Sequence, residues 1–180
     1  MLISVINKSI FLFNLVIYLA VLIQTDCYTF IDKDKSYIKY KQWNMDETGT
    51  LEFRFKSLKP NGLILYSDTS KTASYAESYI VLKLIRGKLQ VTLQMGEDNY
   101  RSYKRIEMGD NLNDMKWHTV AIERDSTNPK VTYIQLDTKR KSLRSDGEHS
   151  TMELNSGLFF GGLPLQLDNI VDGSWMMEPR

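Results

Sequence analysis

His118 and His149 are the only histidines in the sequence and the side chains best suited to proton transfer near neutral pH. A serine hydrolase needs such a histidine between a carboxylate and a nucleophile, and one large class presents its serine in a Gly-x-Ser-x-Gly turn. The sequence contains no such turn. With two separated histidines and one cysteine, it also offers too few ligands for a zinc site. We therefore predict no catalytic residue and no resident metal.

Acidic residues occur in two close pairs, Glu97 with Asp98 and Glu123 with Asp125. A glycoside hydrolase needs two carboxyl groups that face each other across a sugar-binding cleft. Both pairs fall in or beside segments that are typical of loops, where charged side chains are ordinarily solvated. The sequence thus predicts a protein that is not an enzyme, and a carbohydrate-active enzyme on a β-sandwich remains the alternative.

Lys139, Arg140 and Lys141, with Arg144 close behind, form the one concentrated run of positive charge. The whole chain has 23 basic and 22 acidic side chains and a net charge of +1. It therefore lacks the strong positive field that nucleic-acid binding requires. The basic run is expected in a surface loop. Either it contacts a sulfated glycan or an acidic protein, or it is simply solvated.

The first 27 residues have the pattern of a secretory signal peptide: a basic residue, Lys8, then an apolar run from Ile10 to Ile23, then polar residues. The run is shorter than the roughly 20 residues of a membrane-spanning helix. We predict that residues 1–27 are removed and that the protein is secreted or held at the cell surface. A membrane-tethered form with an uncleaved leader is the other interpretation. Cys27 lies at the predicted cleavage point, so the mature chain has either no thiol or one odd thiol.

After the leader, apolar residues alternate with polar ones over short segments, which is typical of β-strands with one buried face. Leu51, Phe53 and Phe55 show this alternation most clearly. The predicted strands are separated by turn residues and lie near 51–56, 62–67, 79–85, 89–95, 117–122, 131–136 and 156–162. Residues 28–40 are expected to be irregular. Since no segment after the leader has a helical period, the sequence predicts an all-β sandwich or barrel.

Four segments of the chain, in order and in spacing, resemble motifs of laminin G domains. They are Gly62-Leu63-Ile64-Leu65-Tyr66-Ser67-Asp68, the hairpin from Tyr79 to Leu89, Trp117-His118-Thr119-Val120, and Ser156-Gly157-Leu158-Phe159-Phe160-Gly161-Gly162-Leu163-Pro164. The resemblance covers residues 37–167. Within this family the chain is most similar in character to the first such domain of neurexins, with which it shares Trp43 and the phenylalanine-rich first strand.

The resemblance implies a jelly-roll-like, concanavalin-like sandwich of two antiparallel sheets over residues 28–180. It also implies a role outside cells, in adhesion or cell–cell recognition. The partners would be extracellular or cell-surface proteins or sulfated glycans. Asp168 to Arg180 does not match the strand that usually closes such domains. We therefore expect the last strand to be missing or divergent, as in a domain truncated at its C-terminus.

Many laminin G domains bind calcium at one rim, and the resemblance places that site at Ser78 and Asn155. The family uses an aspartate where this chain has Ser78, whereas Asn155 matches an asparagine of the pattern. Calcium prefers six to eight oxygen ligands, several of them charged. Without the aspartate, these two residues are weak candidates for a calcium site, and we predict no cofactor.

Overall fold

The computed structural model describes residues 1–6, 25–30, 36–43, 50–69, 78–95, 103–125, 127–145, 152 and 154–164. Within these ranges the chain forms β-strands and no helix. The strands are β1 (Leu2–Ile6), β2 (Thr25–Thr29), β3 (Ile38–Tyr40), β4 (Thr50–Lys56), β5 (Gly62–Asp68), β6 (Tyr79–Ile85), β7 (Lys88–Gln94), β8 (Lys104–Met108), β9 (His118–Arg124), β10 (Val131–Leu136), β11 (Lys139–Arg144) and β12 (Leu158–Phe160).

The strands form two antiparallel sheets, as the resemblance implied. Sheet A has the order β11-β10-β9-β4-β1-β2, and sheet B has the order β3-β12-β5-β6-β7-β8. The prediction of an all-β sandwich of two antiparallel sheets is confirmed.

The alternation in β4 places its apolar side chains between the two sheets. Leu51, Phe53 and Phe55 are buried, while Arg54 is exposed. The ring of Phe53 lies 5.2 Å, centroid to centroid, from the ring of Phe160 on sheet B, in an edge-to-face contact. The main hydrophobic core therefore lies between the sheets and is formed from both.

Sheet B is also buried on its other face. In β6, Ile80 and Leu82 belong to the main core, and the alternating Tyr79 and Val81 belong to a second apolar cluster. This explains why the sequence of β6 is almost continuously apolar rather than alternating. The hairpin predicted between β6 and β7 is confirmed: Arg86 and Gly87 connect the strands with φ values of 52° and 75°. Positive φ at both positions is typical of a type I′ turn.

Two parts of the sequence prediction are wrong. The basic run is not a loop, because Lys139–Arg144 pairs along its whole length with β10 and buries Leu143. Residues 28–40 are not wholly irregular, because β3 pairs with β12 and Tyr28 belongs to β2. The strand β8 was also not predicted, since it consists mainly of charged residues at the edge of sheet B.

Residues of the predicted leader form β1 and the first part of β2 in sheet A of the full chain. β1 pairs with β4 on one side and with β2 on the other. Removal of residues 1–27 stays a prediction, and its consequence would be an unpaired edge on β4. The apolar centre of the leader, from Ile10 to Ile23, lies outside the described residues, as does the segment from Asp168 to Arg180. Among the described residues, no helix is long and apolar enough to cross a membrane.

Candidate functional site

The connections between strands gather at two ends of the sandwich. We call one end the turn rim; it consists of residues 57–61, 86–87, 109–117 and 137–138, all of which the structure describes. We call the other end the loop rim; it consists of residues 69–78, 95–103, 125–130 and 145–157, each described in part. Antiparallel pairing brings each set to one end, because neighbouring strands run in opposite directions.

Backbone hydrogen bonds join the connections of the turn rim to one another. The N–H of Gly87 donates to the carbonyl of Pro60 at 2.8 Å, and the N–H of Leu112 donates to the carbonyl of Gly87 at 2.8 Å. The N–H of Met115 donates to the carbonyl of Ser57 at 3.2 Å. The turn rim is therefore a single hydrogen-bonded unit rather than separate loops.

His118 lies at the turn rim between two carboxylates. Its Nδ1 is 2.9 Å from Oδ2 of Asp137, and its Nε2 is 3.2 Å from Oδ1 of Asp114. The other carboxylate oxygen of Asp137 accepts from the N–H of Thr119 at 2.8 Å. Since both ring nitrogens face carboxylates, neither is left to activate a hydroxyl or thiol nucleophile. The arrangement fastens the 109–117 connection to the β10–β11 turn.

Asp114 has a depressed pKa. The hydrogen bond from the backbone N–H of Lys116 lowers the pKa of Asp114 most, and His118 lowers it further, against a smaller opposing effect of burial. The carboxylate therefore stays ionised in the folded protein to lower pH than a free aspartate. His149, the second histidine, lies outside the described residues.

The acidic pair Glu123 and Asp125 is engaged in local contacts. Glu123 accepts from the guanidinium of Arg140 at 3.0 Å. Asp125 accepts from the hydroxyl and the backbone N–H of Thr127, and these bonds lower its pKa. The general acid of a glycoside hydrolase needs a raised pKa, whereas the pKa of Asp125 is lowered. Glu97 and Asp98 lie outside the described residues.

The loop rim holds both calcium candidates. The N–H of Ser78 donates to Oγ1 of Thr69 at 3.3 Å, and Asn155 Oδ1 accepts from Nε2 of Gln42 at 2.7 Å. The N–H of Asp68 donates to Oγ of Ser156 at 3.0 Å, so the end of β5 lies between the two candidate positions. In the described part of the chain, no three residues of the types Asp, Glu, His or Cys are grouped to hold a metal ion.

Asp68, the last residue of β5, lies beside this rim; it ends one of the four family motifs but was not predicted as a site residue. It is 1% exposed, and its Oδ2 accepts from the hydroxyl of Tyr66 at 2.8 Å. Burial raises the pKa of Tyr66 well above its ordinary value, and the carboxylate of Asp68 raises it further. Tyr66 therefore stays a hydrogen-bond donor to Asp68. The signals in the sequence were an acidic residue at the end of an apolar strand and its place in the family motif.

The four basic candidates lie together on β11, the edge strand of sheet A. The guanidinium of Arg140 stacks 4.1 Å above the ring of Tyr133. Nζ of Lys141 donates to the carbonyl of Glu107 on β8, in the other sheet, at 2.8 Å. Lys139 and Arg144 are exposed and have no side-chain partner among the described residues. The strand therefore presents two anchored cations between two that remain open to a ligand.

The Laminin G domain family model matches residues 55–174, more than half of the chain and almost the whole of the two rims and their strands. The chain belongs to the laminin G domain family. The resemblance found in the four sequence segments is thereby confirmed, and the turn rim, the loop rim and β11 are features of a laminin G domain.

Neurexins are among the similar proteins. The laminin G domain is 29% identical to Neurexin 1 of Drosophila melanogaster over 129 residues and 27% identical to Neurexin-3a of Danio rerio over 138 residues. Each alignment covers 72% of this chain but only 7% and 8% of those proteins. The chain thus spans less than a tenth of the length of these relatives.

Solved structures show the same fold. The mouse laminin alpha1 chain, domains LG4-5, aligns with a TM-score of 0.54 and 19% identity over 75% of this chain and 38% of that one. The LG1-3 region of the laminin alpha2 chain aligns with a TM-score of 0.53 and 21% identity over 71% of this chain and 22% of that one.

Proposed function

We propose that this laminin G domain is an extracellular binding module of cell adhesion or cell–cell recognition, and that it binds a sulfated glycan along β11. Membership of the family and similarity to neurexins support binding outside cells. The leader pattern of residues 1–27 supports secretion. An acidic protein surface is the other ligand that the same charges would accept.

The arrangement of cations on β11 is the observation that supports a sulfated glycan as the ligand. Successive side chains of a strand point to opposite faces, so Lys139 and Arg144 project from opposite sides of the edge strand. They are separated along the strand by about 17 Å, at about 3.4 Å per residue. An extended polyanion running along the edge would therefore meet cations over its whole length. Arg140, held in place by Tyr133 and Glu123, offers a guanidinium of fixed orientation for sulfate oxygens.

No contact in the described part of the chain favours the carbohydrate-active enzyme. Both ring nitrogens of His118 are paired with carboxylates, and the pKa of Asp125 is lowered, whereas a general acid needs a raised pKa. Incubation of the protein with fluorescent glycan substrates is expected to give binding without cleavage.

Elution from a heparin column by increasing salt tests whether the domain binds a sulfated glycan through β11. The double variant Lys139→Ala/Arg144→Ala is expected to elute at clearly lower salt than the wild type, because it loses the two cations of β11 that have no side-chain partner in the described part of the chain. The matched control is Lys41→Ala/Lys88→Ala, which removes two exposed cations elsewhere. The control is expected to elute near the wild-type salt concentration. Equal elution of wild type and the β11 variant would contradict the proposal.

Binding to cells distinguishes a glycan from an acidic protein. We expect the fluorescent protein to label cells and to lose most of that labelling after heparinase treatment. Labelling that survives heparinase but is lost in the β11 variant would instead identify an acidic protein as the ligand.

A further inference from the structure

Two large apolar side chains project into solvent from neighbouring connections of the turn rim. Leu58 is 70% exposed and Met115 is 47% exposed. The hydrogen bond from Met115 N–H to the carbonyl of Ser57 places their two connections side by side. With the half-buried Trp117, two residues further on, these side chains form a surface that we call the apolar patch. Exposed apolar residues that are grouped rather than scattered mark interaction sites.

The backbone holds Leu58 outward. The hydroxyl of Ser57 donates to the carbonyl of Lys59 at 2.8 Å and accepts from the N–H of Lys59 at 3.1 Å. Ser57 itself is 3% exposed, so the turn is anchored below the surface while Leu58 lies at its tip. A turn whose backbone is already fixed loses little conformational freedom when a partner covers it.

Met115 is held in an unfavourable backbone conformation. Its φ is 62°, in the left-handed region that costs conformational energy for most residues with a Cβ atom. Three other non-glycine residues of this rim have positive φ: Asn111 and Asp137 are types that tolerate it, and Arg86 adopts it in the type I′ turn between β6 and β7. Methionine at this position does not stabilise the local backbone conformation, but it presents a flexible apolar side chain to solvent.

Cations surround the apolar patch. The guanidinium of Arg54 and the ammonium of Lys56 each lie 5.3 Å from the centre of the Trp117 ring. Lys59 is exposed beside Leu58, and the side chain of Lys116 is 80% exposed beside Met115. Asp114, on the same connection as Met115, is already bound to His118 and Lys116. The surface is therefore apolar at its centre and positive at its margin.

We propose that the apolar patch binds a protein segment in which apolar side chains are flanked by carboxylates. Leu58 and Met115 would contact the apolar side chains, and the surrounding cations would pair with the carboxylates. This surface is distinct from β11 and would give the domain a second partner of a different class. A chain with two such surfaces would link a glycan to a protein.

The test is a selection of random peptides displayed on phage against the immobilised full-length chain. We expect enrichment of peptides in which leucine, isoleucine or phenylalanine lies beside aspartate or glutamate, and weaker binding as salt is raised. The patch variants are Leu58→Ser and Met115→Asn. The matched control is Tyr103→Ser, which removes a side chain that is 40% exposed at the loop rim.

Each patch variant is expected to weaken binding of the enriched peptides by about tenfold or more, and Tyr103→Ser to leave it unchanged. Met115→Asn should unfold at the same or a higher temperature than the wild type, because asparagine tolerates positive φ; a folding defect would then not explain the loss. The proposal is overturned if no peptides are enriched or if the enriched peptides bind the patch variants as tightly as the wild type. It is also overturned if the chain uses these residues to bind phosphatidylserine vesicles and not peptides.

Discussion

At the turn rim, Arg86 and Gly87 alone connect β6 to β7, whereas at the loop rim residues 69–78 connect β5 to β6. The short connections bond to one another, through Gly87, Pro60, Leu112 and Met115. The described parts of the long connections bond within one connection, as Ser78 does to Thr69, or to the end of a strand, as Ser156 does to Asp68, and Ser145 bonds to Lys130 of a neighbouring connection. The two rims therefore differ in the side chains that lie at each end of the sandwich. The turn rim exposes the apolar side chains of Leu58 and Met115, whereas a carboxylate, Asp68, is buried at the end of β5 beside the loop rim.

Glycines at the two rims offer the strongest test of this comparison. At Gly157 in the loop rim, φ is +89° and an added Cβ would lie 2.7 Å from the carbonyl oxygen of Tyr40. At Gly87 in the turn rim, φ is +75° and the Cβ would lie 2.6 Å from the side chain of Asn113, which is able to move. Gly157→Ala is expected to lower the free energy of unfolding by about 3 kcal/mol and Gly87→Ala by about 1–2 kcal/mol.

Urea unfolding of both glycine variants measures the difference. If Gly87→Ala were the more damaging of the two, the close approach of the Tyr40 backbone to Gly157 would not be the more restrictive of the two contacts.

The buried carboxylate gives a second, smaller effect. Tyr66→Phe removes the hydroxyl that donates to Asp68 and leaves a buried carboxylate short of one donor. We expect a loss of about 2 kcal/mol in the free energy of unfolding. The matched control is Tyr133→Phe, which removes a hydroxyl that donates to Asp125, a carboxylate with other partners, at 3.1 Å.

Tyr133→Phe is expected to lower the free energy of unfolding by clearly less than Tyr66→Phe in the same urea titration, because its hydrogen bond is only partly buried. Equal losses in the two variants would show that burial at the loop rim adds nothing to the Tyr66–Asp68 contact.

The smallest effect concerns pH at the turn rim. Because the folded pKa of Asp114 lies below its ordinary value, its ionised form stabilises the folded state above the pKa of an unfolded aspartate. That stabilisation is lost as pH falls through the folded pKa. In Asp114→Asn, the urea midpoint is expected to be lower than that of the wild type at pH 6 and to approach it below about pH 4.

Asp110→Asn provides a control, since Asp110 is a surface partner of Lys88 at the same rim. A wild-type to Asp114→Asn difference that stays constant down to pH 3 would contradict the assignment of the effect to this carboxylate.

The sequence predicted the strands that bury the side chains of one face or of both faces. β4 alternates, β6 is continuously apolar, and the turn between β6 and β7 contains glycine, so each carries its own local signal. The edge strands were not predicted. β8 and β11 are rich in charged residues, and they become strands only by pairing with β7 and β10. Tertiary pairing, not local propensity, determines their structure.

The candidate sites also include features that the sequence predicted and features that depend on tertiary contacts. Motif order placed Ser78 and Asn155 at one rim, and the structure brings both to the end of β5. No local pattern could show that His118 meets Asp137, because that contact depends on how β9 pairs with β10. The proximity of Leu58 and Met115 likewise depends on a hydrogen bond between connections that are far apart in sequence.

The contact between Lys141 and Glu107 has a consequence for the behaviour of the protein in concentrated solution. β8 and β11 are the edge strands of the two sheets on the same side of the sandwich. The carbonyl of Glu107 accepts from the lysine ammonium at 2.8 Å. An edge carbonyl that is occupied by an internal cation is a poorer acceptor for the strand of a neighbouring molecule, and the remaining cations of β11 repel a second copy of the same edge. The charges that favour an anionic ligand thus also keep molecules of this domain from adding to one another's sheets.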